Sequence, residues 1–548
     1  MIKAIPEDLK RKVAQLFIIR ASGHTFDNQR EYPIWEHSNG QIKELLEEGV
    51  GGVIFFGGSI YELNSRCKIF NEWATSPLLL CADVEEGIGQ RFEGASRFIP
   101  PMGLGHIYKK DKDRAIQLAE TYGRLTADQA KISGLNWILA PVCDVNTNPA
   151  NPVINIRAWG EDAQTASSLA CAFHRGVISS KILSCAKHFP GHGDTGIDSH
   201  LDLPIIENDI NRLEEIDLIP FRNLISEGIS SIMIGHLLMT KIDSIYPSSL
   251  SQKVIIELLR NRLRFDGLIV TDALIMSSIS KRYQTEDAAL LAFEAGADLI
   301  LMPNNAKASI RILCEAFISG RIPFARLEES LDRRKRALDF VGINFNLHSL
   351  DNVILEAREL DNYTARNLSI ELIEKSIKLN SNFTVNKSKG INLLRIDDFS
   401  LLKGNIDSIP AISLPKEAGY SLALIHNNGI NPWQDDKDEP FNLDLIENGP
   451  VFLQIFFRGK PFANKNLSIE PWNLVVKQLQ RVNRVSGLCI YGSHYLWQEL
   501  VPLIDPGIPA AYSPANIPQA QVMVLNKLFN FDHNRSNLNY ELKADFTD

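Results

Sequence analysis

The chain has 548 residues, 45% hydrophobic and 22% charged, with a net charge of −9. That length exceeds one ordinary core, so two or more domains are expected, and an acidic balance without a basic run disfavours nucleic acid as a partner. Seven cysteines with no CxxC pair argue against a disulfide framework or a thiolate zinc site.

Charges at Glu7, Asp8, Lys10, Arg11 and Lys12 interrupt the N-terminal region where a secretory peptide needs apolar residues. No run reaches the roughly 18 apolar residues of a membrane span, so a cytoplasmic protein that makes no membrane contact is expected. Eight short apolar, β-rich runs then follow in order: LFIIR (16–20), GVIFF (52–56), LLLCAD (78–83), NWILAP (136–141), LSCAKH (183–188), SIMIGH (231–236), LIVTDA (268–273) and LILMP (299–303). They are apolar on both faces and alternate with amphipathic stretches such as 115–133 and 252–263, the pattern of parallel strands with crossover helices. Eight of them predict a (β/α)8 TIM-type barrel over residues 1–345, completed by a helix in 321–342. A linker is expected at 346–363. A helix at 364–380 then opens a smaller open α/β sandwich domain, 364–548, with strands near 391–396, 420–426, 451–457 and 487–492. No phosphate-binding glycine loop is present in it, so a nucleotide-binding role is not supported.

Polar residues end several barrel runs: Asp83, Lys187 with His188, His236, and Asp272. The C-terminal ends of the strands are where such a barrel carries its chemistry. The loop KHFPGHGDTGIDSH (187–200) is rich in proline and glycine, so His188 and His192 cannot form a helical zinc pair, although a loop metal site remains a rival reading. Its tail, Asp198-Ser199-His200, places a carboxylate two residues from an imidazole. A carboxylate so placed can orient the ring and stabilise its protonated form, which suits proton transfer. Asp272 ends a buried run, a position from which a barrel presents a nucleophile or base, or merely caps the next helix.

The motifs KHFPGHGDTGIDSH, VTDAL and ADVEEGIGQRF, in this order, resemble glycoside hydrolase family 3, specifically its β-N-acetylglucosaminidase branch, over about residues 10–345. The resemblance implies a retaining enzyme with Asp272 as nucleophile, His200 as acid/base and Asp198 orienting it. It also implies that Asp83, Arg91, Arg157, Lys187 and His188 bind the sugar. A small N-acetylglucosamine-containing carbohydrate is the expected partner, and neither cofactor nor metal is expected. The family often reads Asp-Gln-Glu-Gly-Gly where this chain has Asp83-Val84-Glu85-Glu86-Gly87, so a differently shaped loop is expected there. Asn155 and Trp159 stand where glycine and phenylalanine are common. A glycosyl phosphorylase and a sugar-binding barrel without activity stay open as alternatives. Within the long loop, Pro190 to Gly196 are expected to act as a hinge.

Overall fold

The computed structural model describes residues 5–342, 360, 363–396, 406–426, 431–436, 438–458 and 470–531. All of the expected linker except Leu360 and Tyr363 lies outside them. The described residues form two compact units, one up to Ser369 and one from Ile370 onward.

In the first unit all eight apolar runs are strands of one parallel sheet. They are β1 (Phe17–Ser22), β2 (Gly52–Phe56), β3 (Leu79–Ala82), β4 (Trp137–Ile138), β5 (Leu183–Phe189), β6 (Ser231–Ile234), β7 (Leu268–Thr271) and β8 (Ile300–Leu301). The sheet order is β8-β1-β2-β3-β4-β5-β6-β7. Val270 forms a parallel bridge with Leu299, and the Thr271 N–H donates to the Leu299 carbonyl at 3.1 Å. The last strand thus meets the seventh, and the barrel closes. Every residue of β1, β3 and β5 is buried, because one face packs the interior and the other packs the helices. The interior is filled by strand residues including Ile18, Ile54, Leu79, Trp137, Leu183 and Val270, so it is a packed core rather than a pore.

The amphipathic stretch at 115–133 is a helix, Lys112–Ser133, capped by the Asp111 side chain, which accepts from the Arg114 N–H. The stretch at 252–263 is wound as a π-helix, Lys253–Arg262, burying Val254, Ile255, Leu258 and Leu259. A final helix, Phe324–Phe340, completes the barrel as expected. Its buried Arg334 donates to the Gly51 carbonyl at 2.9 Å and also to that of Pro77.

The second unit is a six-stranded sheet: β9 (Lys378–Leu379), β10 (Gly390–Ile396), β11 (Tyr420–Ile425), β12 (Val451–Phe457), β13 (Val485–Gly492) and β14 (Ala510–Ser513), in the order β9-β14-β13-β12-β10-β11. Only the β9–β14 pairing is antiparallel. Alternate strand residues go to opposite faces. Ile391 and Leu393 join a core with Trp472 and Val476, whereas Leu394 and Ile396 join another with Leu525 and Phe529. Four of these strands are the expected ones. The other two, β9 and β14, are short and lie in no longer apolar run, and the helix expected at 364–380 ends at Ser376 because the chain then enters β9.

Among the described residues no helix is long and apolar enough to cross a membrane. All seven cysteines are free and buried.

Candidate active site

The strand-end polar residues converge at the C-terminal end of the barrel, where two buried networks arise. In the first, Lys187 at the end of β5 places its ammonium 2.7 Å from both Asp83 Oδ1 and Glu85 Oε1. Arg157 clamps Glu85 from the other side, with Nε to Oε2 and Nη2 to Oε1 both at 2.8 Å, while Nη1 donates to the Val153 carbonyl at 3.2 Å. All three guanidinium nitrogens are therefore engaged, and Arg157 braces Glu85. Burial works against the charge on Glu85, but Arg157 and Lys187 outweigh it and hold the carboxyl well below the ordinary range. Burial likewise opposes charge on Lys187, and Asp83 and Glu85 reverse this, raising its pKa above that of a free lysine. Such an arrangement keeps Arg157, Lys187 and Glu85 ionised by mutual charge-assisted hydrogen bonds. Arg91 joins from the loop after β3, its Nε donating to the Asp83 carbonyl at 3.1 Å and its guanidinium 5.5 Å from the Phe56 ring centroid.

The second network is built on Asp144, which follows β4 and is fully buried. Its Oδ2 accepts from His188 Nδ1 at 2.7 Å, which fixes that ring and directs Nε2 the other way. Its Oδ1 accepts from the His192 N–H at 2.7 Å. The His192 ring is in turn bonded through Nδ1 to Thr195 Oγ1 at 2.8 Å and through Nε2 to Ser199 Oγ at 2.9 Å. Asn151 Nδ2 adds a bond to the His192 carbonyl at 2.8 Å. Burial drives the His192 pKa down to about 4, so its ring is neutral at physiological pH. Its two nitrogens serve the loop.

These bonds revise the expected hinge. Residues 190–193 and Thr195 are buried, and Gly193 sits so close to the neighbouring backbone that a Cβ would lie 1.8 Å from the Val145 carbonyl oxygen. Gly193→Ala is accordingly expected to cost about 3 kcal/mol through overpacking, read as a lowered denaturant midpoint with an unchanged slope. Asp194, Gly196 and Ile197 are the exposed part of the loop.

Beyond them comes the expected dyad. Asp198, 5% exposed, accepts on Oδ1 from both the His200 N–H and His200 Nδ1, each at 2.8 Å. The imidazole ring is thereby set by its own loop. Asp272 follows β7 directly, its N–H bonded to the Ile234 carbonyl and its Oδ1 accepting from the Ala273 N–H at 2.8 Å. Burial opposes ionisation of Asp272, but His236, His188, His200 and the Ala273 N–H together bring its pKa below the ordinary value. The site thus combines an ionised carboxylate with a carboxylate-oriented imidazole in its field. A nucleophile and a proton donor are what this pairing can supply.

The structure brings together Asp83, Arg91, Arg157 and Lys187 in one network, and His188, His200 and Asp272 in mutual electrostatic reach. Sequence reasoning missed the parts played by Glu85, Asp144 and His236. His236 is fixed by Ser249 Oγ at 2.7 Å and the Ala273 carbonyl at 3.1 Å, and burial lowers its pKa. Asp144 carries the same signal as the other acids, a carboxylate just beyond a buried strand. The departures in the loops also find their reasons. Glu86 is buried and neutralised by Arg97, whose Nη2 lies 3.0 Å away. Asn155 holds φ at +40°, a left-handed conformation that glycine adopts freely and asparagine tolerates better than most residues. Trp159 packs against Phe173, ring centroids 5.5 Å apart. Among the described residues no group of three or more His, Cys, Asp and Glu is arranged to hold a metal ion.

Comparison with known proteins agrees with this architecture. Residues 8–337 match the glycosyl hydrolase family 3 N-terminal domain, and residues 384–530 match the bacterial glycosyl hydrolase family 3 C-terminal domain. The likeness therefore extends into the second unit, beyond the 10–345 expected from motifs. A β-hexosaminidase of Nitrosospira multiformis is 33% identical over 277 residues, 50% of this chain and 79% of that protein. β-Hexosaminidase A of Pseudoalteromonas piscicida is 32% identical over 287 residues, 48% of this chain, and there the match spans only 47% of the relative's length. Among solved structures, a family 3 β-N-acetylglucosaminidase from Paenibacillus sp. str. FPU-7 superimposes with a TM-score of 0.76 at 26% identity, covering 95% of this chain and 96% of that one. With both domain models matched and the barrel built as its motifs require, the chain belongs to glycosyl hydrolase family 3.

Proposed function

We propose that this chain is a retaining β-N-acetylglucosaminidase that releases terminal N-acetylglucosamine from glycosides such as peptidoglycan fragments, with residues 1–345 as catalytic domain and 364–548 as a second domain, acting in the cytoplasm. The observation that supports this reading is an ionised Asp272 at the end of β7 with the bonded His200–Asp198 pair in its field, alongside the Asp83–Lys187–Glu85 network at the ends of β3 and β5. The names of the relatives support the sugar.

In the first step the Asp272 carboxylate attacks the anomeric carbon as protonated His200 gives its proton to the departing glycosidic oxygen. An ester joins sugar and Asp272. In the second, neutral His200 takes a proton from water as its oxygen attacks the same carbon, and the Asp272 carboxylate leaves. Two inversions give net retention, with the imidazole standing in for the usual second carboxyl group. Asp198 stabilises the imidazolium in each cycle. Asp83 and Lys187, already bonded to each other, offer fixed polar partners to the sugar hydroxyls, which limits reorganisation on binding.

The test is a panel of 4-nitrophenyl glycosides. The β-N-acetylglucosaminide is expected to be cleaved with kcat/KM at least about 100-fold above the β-glucoside and β-xyloside, since a site built around one polar substituent rejects analogues lacking it. Equal rates would remove the assigned substrate. Release of N-acetylglucosamine 1-phosphate in the presence of phosphate would convert the reading from hydrolase to phosphorylase.

A further inference from the structure

The loop that carries Asp198 and His200 leaves β5 and is anchored early by Asp144, Asn151 and His192. Its dyad lies further on, after the exposed Gly196 and Ile197. Two cationic side chains reach this far end from the segment that follows Asp272. Lys281 Nζ donates to the Leu201 carbonyl at 2.9 Å, and Arg282 Nη2 donates to Asp202 Oδ1 at 2.8 Å, each across 80 residues of sequence. The segment itself is firm. The short helix Ser277–Ser280 buries Ser278 and Ile279, the Arg282 N–H bonds to the Ile279 carbonyl at 2.9 Å, and Arg282 Nη1 bonds to the Ser278 carbonyl at 3.4 Å.

We infer that Lys281 and Arg282 are positioning residues: they latch the His200 loop to the element bearing Asp272 and so hold the proton donor in register with the nucleophile. His200 then sits between two fixed points. One is Ser199, bonded to the His192 ring at 2.9 Å, and the other is the latch at Leu201 and Asp202. Next to the latch the loop is ordered by its own bonds, Leu201 N–H and Asp202 N–H to the Asp198 carbonyl, both at 3.0 Å. Latching Leu201 and Asp202 therefore holds the Asp198 backbone as well. Arg282 and Asp202 are 40% and 57% exposed, so water competes for both partners and the latch is a weak, reversible tie.

This inference rests on the reading of His200 as general acid, and the two are tested apart. Arg282→Ala, Lys281→Ala and the double variant are assayed with a 2,4-dinitrophenyl N-acetylglucosaminide, whose leaving group departs without a proton, and with N,N′-diacetylchitobiose, whose leaving sugar needs one. kcat/KM, which reports steps up to formation of the glycosyl-enzyme, is expected to fall about fivefold in the double variant for the disaccharide, equivalent to about 1 kcal/mol at 1.4 kcal/mol per tenfold. For the dinitrophenyl glycoside it is expected to change less than twofold, and Arg282→Lys is expected to recover most of the loss. Amide hydrogen exchange at residues 201–203, measured without substrate, is expected to quicken in the double variant. Unchanged exchange and unchanged disaccharide cleavage would overturn the latch, as would equal losses on both substrates, which a general structural defect produces. A wild-type chain inactive on both substrates would overturn the glycosidase reading itself instead, and the exchange measurement would still decide whether the latch orders the loop.

Discussion

Asp272→Asn is expected to lower kcat/KM on a chromogenic β-N-acetylglucosaminide by on the order of 10⁴-fold while leaving the fold intact. The amide keeps the shape of the carboxylate and can still accept from the Ala273 N–H, so packing is preserved. What it loses is the negative charge and the oxygen that bonds to the anomeric carbon, and losing a nucleophile of this kind removes most of an enzyme's rate enhancement. Far-ultraviolet circular dichroism and the unfolding midpoint check the fold. Intact-mass spectrometry after mixing with a slow glycoside should show a sugar adduct on the wild type and none on the variant. Activity within tenfold of wild type would remove Asp272 from the mechanism.

The second large effect is expected from Glu85→Gln, and it concerns stability more than chemistry. Glu85 is 4% exposed and meets two cations. Replacing its carboxylate with a neutral amide leaves Arg157 without its charged partner and Lys187 with Asp83 alone. Removing one partner of a buried ion pair costs about 3–5 kcal/mol, because the remaining charge is stranded in low dielectric. A double variant, Glu85→Gln with Arg157→Met, is expected to be less destabilised than the sum of its parts, since the stranded charge is gone. The pH dependence has a definite sign. Glu85 is held below its ordinary pKa in the folded state, so its contribution is complete above the unfolded value of about 4.3 and is lost as pH falls through the folded value. The wild-type midpoint should therefore drop below about pH 4 more steeply than that of Glu85→Gln. Parallel curves would show that the triad does not titrate with folding.

The architecture of the barrel was legible because its strands are buried on both faces. A run such as GVIFF or LSCAKH has no polar side to disguise it, and the residue that breaks each run marks the end where chemistry collects. The same economy explains why Asp83, Lys187, His188 and Asp272 could be picked out singly, and why β9 and β14 could not. The barrel strands of equal length stand inside longer apolar runs such as NWILAP and LILMP, whereas Lys378–Leu379 and Ala510–Ser513 do not. The dyad was also legible, since Asp198 and His200 are two residues apart and need no fold to find each other.

The sequence by itself determined the alternation of strands and helices, the identity of the strand-end acids and bases, and a local carboxylate–imidazole pair. Only the tertiary structure decided how those groups are charged and held. Glu85 and Arg157 are 72 residues apart, and Asp144 and His188 are 44 apart; no local pattern records such a pairing, which exists only once neighbouring strands are in register. The loop read as a glycine hinge shows the difference most clearly. Its glycines are visible in one dimension, but the buried bond of His192 to Asp144 comes from packing against another strand end, and with the bonds of its ring to Thr195 and Ser199 within the loop it turns the first half of that loop into an anchor.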